Sequence, residues 1–117
     1  MEYDFERLDV YQEALVLTEK IYILTRNLPS EERYGLISQM RRAAMSVVLN
    51  IAEGKGRYYT KVFVQFLYQA RGSLYETITL LKMCVQLGYF NQEHIADALK
   101  RADVIAGQLN NFIKSMR

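Results

Sequence analysis

The chain is predicted to be all-α, an antiparallel up-down-up-down four-helix bundle forming a single domain over residues 1–117. Three observations carry that expectation. Apolar residues recur at three and four along four long segments, the spacing of a helix with one buried face. No stretch alternates with the period of two that a half-buried strand requires. Six glycines and a single proline, Pro29, leave few places for loops, and short connections between long helices favour antiparallel neighbours.

Helix one is expected over about 9–27, where Val10, Ala14, Thr18, Ile21, Thr25 and Leu28 share one face at ~100° per residue, with Tyr11 and Tyr22 beside them. Leu28-Pro29-Ser30 stops it, because proline restricts the residue before it and cannot continue a helix. Ser30 offers an N-cap for helix two, about 31–53, and Glu31 and Glu32 complement the dipole of its first turn. Gly54 then takes the left-handed position that closes it. Helix three, about 60–87, starts at the cap Thr60 and buries Phe63, Phe66, Leu67, Ala70, Leu74, Ile78, Leu81 and Val85. At ~28 residues it is roughly 42 Å long. Gly88 closes it. Asn91 caps helix four, about 91–115, whose stripe is Ile95, Leu99, Ala102, Ala106, Leu109 and Ile113.

Helix two carries more apolar surface than one core needs. Leu36, Ile37, Met40, Ala43, Ala44, Val47, Val48 and Ile51 cover roughly 140° of it, and Arg41, Ala52, Tyr34, Met45 and Leu49 extend the arc by about another hundred degrees. Val16 and Ile23 lie opposite the main stripe of helix one. On helix three Tyr68 and Tyr75 flank Arg71, and Leu80, Met83 and Leu87 sit on its far side. Apolar surface of this kind marks contact sites, so Val16, Ile23, Tyr34, Met45, Leu49, Tyr68 and Tyr75 are the expected interface of a homo-oligomer. Cover by the N-terminal arm or by the 54–59 corner is the alternative. Arg41, inside the extended arc, needs compensation if buried, and Glu53 or Glu76 is the expected ion-pair partner, within the subunit or across an interface. Gly72-Ser73 weakens an otherwise strong helix. Close approach of another backbone, or a kink, would explain it.

A net charge of +2 hides an asymmetry. Residues 1–32 hold three basic and eight acidic side chains, net −5; residues 33–71 hold seven and one, net +6; residues 72–117 hold five and four, net +1. Within the basic segment, Arg42, Lys55, Arg57 and Lys61 are the candidates for gripping phosphates or another acidic partner, with Tyr58 and Tyr59 available to stack on bases. Gly54-Lys-Gly-Arg57 follows a helix, not a strand, and lacks the ending of a phosphate loop. A single histidine, His94, and a distant Cys84 make no zinc set, and no carboxylate–histidine spacing suggests a di-iron site. No metal, cofactor or catalytic residue is expected, because no base accompanies a serine or the cysteine. One cysteine points to a reducing, cytoplasmic setting. No apolar run is long enough for a membrane span, and the acidic start lacks the basic region of a signal peptide.

Gln39-x-Arg-Arg-Ala-Ala-x-Ser-Val47, followed by Asn50-Ile-Ala-Glu-Gly-x-Gly-Arg57, resembles the signature of the 23S rRNA intervening sequence proteins. Leu8-x-Val-Tyr-Gln-Glu-Ala14, Leu28-Pro-x-Glu-Glu32, Phe66-Leu67, Ala70-x-Gly-Ser-Leu-x-Glu76 and Leu87-Gly-Tyr agree with it over nearly the whole chain. The resemblance implies an antiparallel bundle, commonly a ring-like homopentamer, and no catalytic site. The family name records genomic context: some members are encoded within insertions in ribosomal RNA genes. A related branch, the accessory proteins of diversity-generating retroelements, is strongly basic and binds nucleic acid and a reverse transcriptase; this chain, at +2, departs from it. The expected function is that of a non-catalytic oligomeric interaction protein presenting its basic residues to RNA, DNA or another acidic partner. The alternative is a purely structural or protein-binding assembly, its basic residues paired with the acidic N-terminal segment of a neighbouring subunit.

Overall fold

Four helices account for most of the chain in the computed structural model, which describes residues 1–117: α1 (Asp9–Thr25), α2 (Ser38–Lys55), α3 (Thr60–Gln86) and α4 (Gln92–Ser115). A short 3-10 turn, Asp4–Arg7, precedes α1, and a second, Ser30–Glu32, leads into a π-type segment, Arg33–Ile37, ahead of α2. There is no strand.

The helices are antiparallel in sequence order. Thr18 Oγ1 donates to the Ala44 carbonyl at 3.3 Å and Arg41 Nε to Thr25 Oγ1 at 2.9 Å, so α2 descends as α1 rises. The Ser46 and Ser73 hydroxyls meet at 2.7 Å while Arg42 reaches Glu76 at 2.7 Å, which sets α3 against α2. Phe63 packs edge-on to Phe112 at 5.3 Å, and Arg71 donates to Asn110 Oδ1 at 3.0 Å across α3 and α4. Arg101–Glu13 and Lys20–Asp97 pairs close the ring of four between α4 and α1. The hydrogen bond from Lys20 holds the Asp97 carboxyl below the usual carboxylate range. The long axis measures 44 Å, which α3 nearly spans, since 27 residues rise about 40 Å.

The core sits on the predicted stripes, displaced at a few positions. Val10, Ala14, Ile21, Thr25 and Leu28 are buried as expected, with Leu17 replacing the half-buried Thr18. On α3, Thr77 and Cys84 are buried, whereas Phe66, Ile78 and Val85 are half-buried. On α4, Ala98 and Ile105 are buried in preference to Leu99 and Ala106. Each fully buried leucine or isoleucine contributes roughly 1.5–3 kcal/mol. The Cys84 thiol lies 3.6 Å from Met40 Sδ at the end of the core where α3 finishes and α2 begins, and burial pushes its pKa up.

Two helix ends differ from expectation. Ser30 does not cap α2. Instead the Glu32 carboxylate accepts the Leu36 N–H at 3.2 Å and the Tyr89 hydroxyl at 2.8 Å, and Gly35 leaves helical geometry at φ −108, ψ −109. The carboxylate thus satisfies an amide of the entry segment while anchoring the α3–α4 connection, and regular α-helix starts only at Ser38. At the other end Gly54 is not a left-handed terminus: it is buried inside α2, which runs to Lys55 and closes at Gly56 with φ −77. Glycine is required there by contact, because a Cβ on residue 54 would lie 2.5 Å from Phe66 Cβ and 3.0 Å from Phe63 Cδ1. Gly88, the one residue with positive φ, at 85°, closes α3 as expected, and Asn91 caps α4 by accepting the His94 N–H at 3.0 Å. Thr60 is the first residue of α3 and not its cap.

Gly54→Ala is expected to cost about 1–3 kcal/mol through overpacking against Phe66. Gly72→Ala should instead stabilise by about 1 kcal/mol, since a Cβ there meets nothing within 4 Å and alanine favours helix. Urea denaturation of the two variants reads these opposite signs. The bond to Glu32 raises the Tyr89 pKa above the ordinary 10.0, so its contribution is complete below that pH and lost as pH rises through the folded value. Tyrosinate absorbance should show one late-ionising group in the wild-type chain that Tyr89→Phe removes.

Candidate functional site

Leu15, Thr18 and Tyr22 follow one another at three and four on α1 and stand in one row, which the antiparallel pairing sets beside Arg41, Met45, Val48 and Leu49 of α2. Between the rows lies a depression of about 150 Å³ lined by Leu15, Thr18, Met45, Val48 and Leu49. Leu15, Met45 and Leu49 are exposed, Leu49 by 63%. Val16 and Ile23 are also exposed, on the outer side of α1, and Tyr34, on the π-type segment, is 87% exposed. Neither the N-terminal turn nor the 54–59 corner covers these side chains. Leu15 belongs to this surface although the periodicity of helix one did not single it out; its place seven residues before Tyr22 was the available signal.

Within the subunit, the ion pair expected for Arg41 with Glu53 or Glu76 does not form. Arg41 is half-buried, its guanidinium 4.4 Å from the centre of the Tyr22 ring, and it donates to Thr25 Oγ1 at 2.9 Å and to the Tyr22 carbonyl at 3.4 Å. Neutral acceptors and a ring face meet its needs. Glu53 lies twelve residues further along α2, about 18 Å away, and pairs with Arg57 at 2.9 Å. Glu76 faces the other side of α2, where Arg42 takes it at 2.7 Å.

On α3, Arg71 lies between Tyr68 and Tyr75, 4.8 and 5.9 Å from their ring centres, and is held in place by Asn110. Both tyrosines are exposed and Gly72 between them is bare; the helix runs through Gly72-Ser73 unbroken. Neither reading of Gly72 made from the sequence is therefore met within the subunit.

The four basic candidates do not form one patch. Arg42 stands thirteen residues before Lys55, about 20 Å along the helix, and is engaged by Glu76 and Gln39. Lys55, Arg57 and Lys61 do gather at the α2–α3 corner. Arg57 bonds Glu53 and lies 4.9 Å over the Phe66 ring, and Lys55 lies 5.9 Å from the Phe63 ring. Lys61 is exposed with no carboxylate in contact, beside Tyr58 and Tyr59, which are 92% and 67% exposed. The C-terminus adds a cation the sequence did not single out: Arg117 donates to the Tyr68 hydroxyl at 3.4 Å and shares with Lys61 a groove of about 490 Å³. Glu2 and Asp4 of the N-terminal turn line a second groove with Lys55. Exposed pairs such as Arg42–Glu76 contribute at most about 1 kcal/mol, yet they neutralise the field that a partner would meet.

His94 receives the Asn91 N–H on Nδ1 at 3.0 Å, a capping role. No group of three or more His, Cys, Asp or Glu side chains is placed to hold a metal ion. No helix is long and apolar enough to cross a membrane.

Comparison with known proteins agrees with the geometry. Residues 6–111 match the family described as 23S rRNA-intervening sequence protein. The crystal structure of a protein of unknown function from the S23 ribosomal protein family of Bacteroides thetaiotaomicron superposes with a TM-score of 0.83 at 23% identity, over 90% of this chain and 98% of that one. At that identity the likeness establishes the fold. No curated protein matches the chain.

Arg41→Ala should cost about 1–2 kcal/mol, from two lost hydrogen bonds and the stacking on Tyr22. Glu53→Gln and Glu76→Gln should leave Arg41 unaffected. A double-mutant cycle by chemical denaturation would show coupling of Arg41 to Tyr22 and none to either glutamate.

Proposed function

We propose that the chain, which belongs to the 23S rRNA-intervening sequence protein family, is a non-catalytic homo-oligomeric interaction protein of the cytoplasm, built as the pentameric ring that the resemblance implies. Its cationic corner engages RNA, or DNA, through phosphate contacts. The observation that carries this reading is the pairing of uncovered apolar surface, at Leu15, Met45, Leu49, Tyr68 and Tyr75, with a corner where Lys61 has no carboxylate partner. The apolar surface supplies self-association. Lys55, Arg57 and Lys61, with Tyr58 and Tyr59, supply the charge and stacking that single-stranded nucleic acid favours.

A second reading rests on charge pairs within the chain. Arg42 and Arg57 are each paired with a carboxylate of their own chain, and Glu2 and Asp4 stand near Lys55. A structural or protein-binding assembly needs no free cations. It keeps the apolar contacts and gives up the nucleic acid.

Solution mass and a salt-dependent titration separate the readings. The wild-type chain should sediment as a closed oligomer at micromolar concentration; a monomer would end both. Generic single-stranded RNA should bind at low salt, with an affinity that falls with a log–log slope of about −0.7 per phosphate contacted. Lys55→Glu with Lys61→Glu should abolish that binding and leave the mass unchanged. No binding at low salt, with an intact oligomer, selects the second reading.

A further inference from the structure

Five depressions mark the surface, and their charges differ. Asp97 lines one, Asp9 another, and Glu2 with Asp4 a third, while the depression between α1 and α2 holds no charge at all. The fifth is the largest, about 490 Å³, and runs between the first turns of α3 and the end of α4. Lys61 and Arg117 line it, and no Asp or Glu side chain does. Its size lies within the roughly 300–1,000 Å³ of ligand clefts. Its charge selects an anion.

We propose that this groove holds one unpaired nucleotide of a single-stranded RNA or DNA, its phosphate between Lys61 and Arg117 and its base against Tyr68. The proposal rests on the nucleic-acid reading and deepens it, moving the centre of binding from Lys55 and Arg57 to the α3–α4 side. Lys55 and Arg57 are turned towards the Phe63 and Phe66 rings, and Arg57 is also paired with Glu53. Lys61 and Arg117 form no such ion pair. Arg117 donates to the Tyr68 hydroxyl at 3.4 Å, a long bond that a phosphate oxygen replaces with a shorter, charge-assisted one. The remaining walls suit a base. Val64 and Met116 are apolar, and the exposed Tyr68 ring has Arg71 at 4.8 Å from its centre. A base laid on the other face of that ring completes the stack. Gln65 adds a side-chain amide to the lining, a group that both donates and accepts. Lys61 and Tyr68 are seven residues apart on one face of α3, about 10.5 Å along the helix, which leaves room for the sugar between phosphate and base. A base inside a duplex has both faces covered by its neighbours, so the groove selects single strands. Tyr75 lies outside the groove and stays available for contact between copies.

The test joins a titration to a crosslink, with the full-length chain and a single-stranded RNA that carries 4-thiouridine. Lys61→Gln with Arg117→Gln alters two exposed positions, and far-UV circular dichroism would verify that the bundle still folds. That variant should bind the strand at least about tenfold more weakly, with a log–log salt slope smaller by about 1.4, for two phosphate contacts at ~0.7 each. Lys55→Gln with Arg57→Gln should change the affinity by less than about threefold. Duplex RNA of the same length should bind the wild-type chain at least about tenfold more weakly than the single strand. Trypsin cuts after Arg57, Lys61 and Arg71, so a crosslink on the wild-type chain is assigned to Tyr58–Lys61 or to Val62–Arg71. It is expected in Val62–Arg71, which carries Gln65 and Tyr68. A crosslink confined to Tyr58–Lys61, an equal loss of affinity in the two double variants, or equal affinity for the duplex overturns the groove and leaves the cationic corner standing. A wild-type chain that binds no RNA at low salt overturns the nucleic-acid reading itself, and the groove with it.

Discussion

Phe66 occupies the space where a side chain on residue 54 would have to be, and that contact fixes α2 against α3. Gly54 admits Phe66 at one level of the seam, the Ser46 and Ser73 hydroxyls meet at the next, and Arg42 reaches Glu76 beyond them. Sliding one helix by a turn would drive Phe66 into a bulkier neighbour and separate the serines. Everything functional is referred to that register. With Phe66 turned towards α2, Tyr68 and Tyr75 are directed away from it on α3, and the chain between the two helices is held to a tight corner that gathers Lys55, Arg57 and Lys61.

Periodicity carried most of the fold. The four stripes were legible because a helix must bury one face, and the substitutions within them (Leu17, Thr77, Ala98, Ile105) are displacements of one position, small against the width of a buried face. Misreadings arose where one residue type serves two physical purposes. Glycine closes helices and also permits close helix contact; Gly54 does the second and Gly88 the first, and local sequence does not separate them. Ser30-Glu31-Glu32 has the composition of a helix start, but Glu32 is drawn to Tyr89, fifty-seven residues away, and the start moves to Ser38. Arg41 needed compensation, and charge suggested a carboxylate. A hydroxyl, a carbonyl and a ring from α1 met the need, partners visible only once the helices are packed.

The basic middle segment shows why charge counted along a chain differs from charge displayed in space. Its net +6 is spread over three sides of a bundle. Arg42 is held by a glutamate across the α2–α3 seam, Arg57 by one a turn away on its own helix, and Arg71 is flattened between two tyrosines. What remains is divided between Arg33, exposed ahead of α2, and Lys55 and Lys61 at the α2–α3 corner, where aromatic side chains outnumber the free cations. A surface of this kind discriminates by short-range contact more than by long-range attraction, because screening removes the latter beyond about 8–10 Å at physiological salt.

Cys84 gives the protein an internal clock. Its thiol is buried against Met40 in the last turn of α3, where the Cys84 carbonyl accepts the Tyr89 and Phe90 amides of the α3–α4 connection. A thiol reagent reaches it when that end of the bundle opens. The rate of that single reaction therefore measures how often α3 frays from α2 and the α3–α4 connection, or the equilibrium population of the frayed form when reclosing is fast. One atom thus reports on the end of the bundle that Glu32 and Tyr89 hold shut.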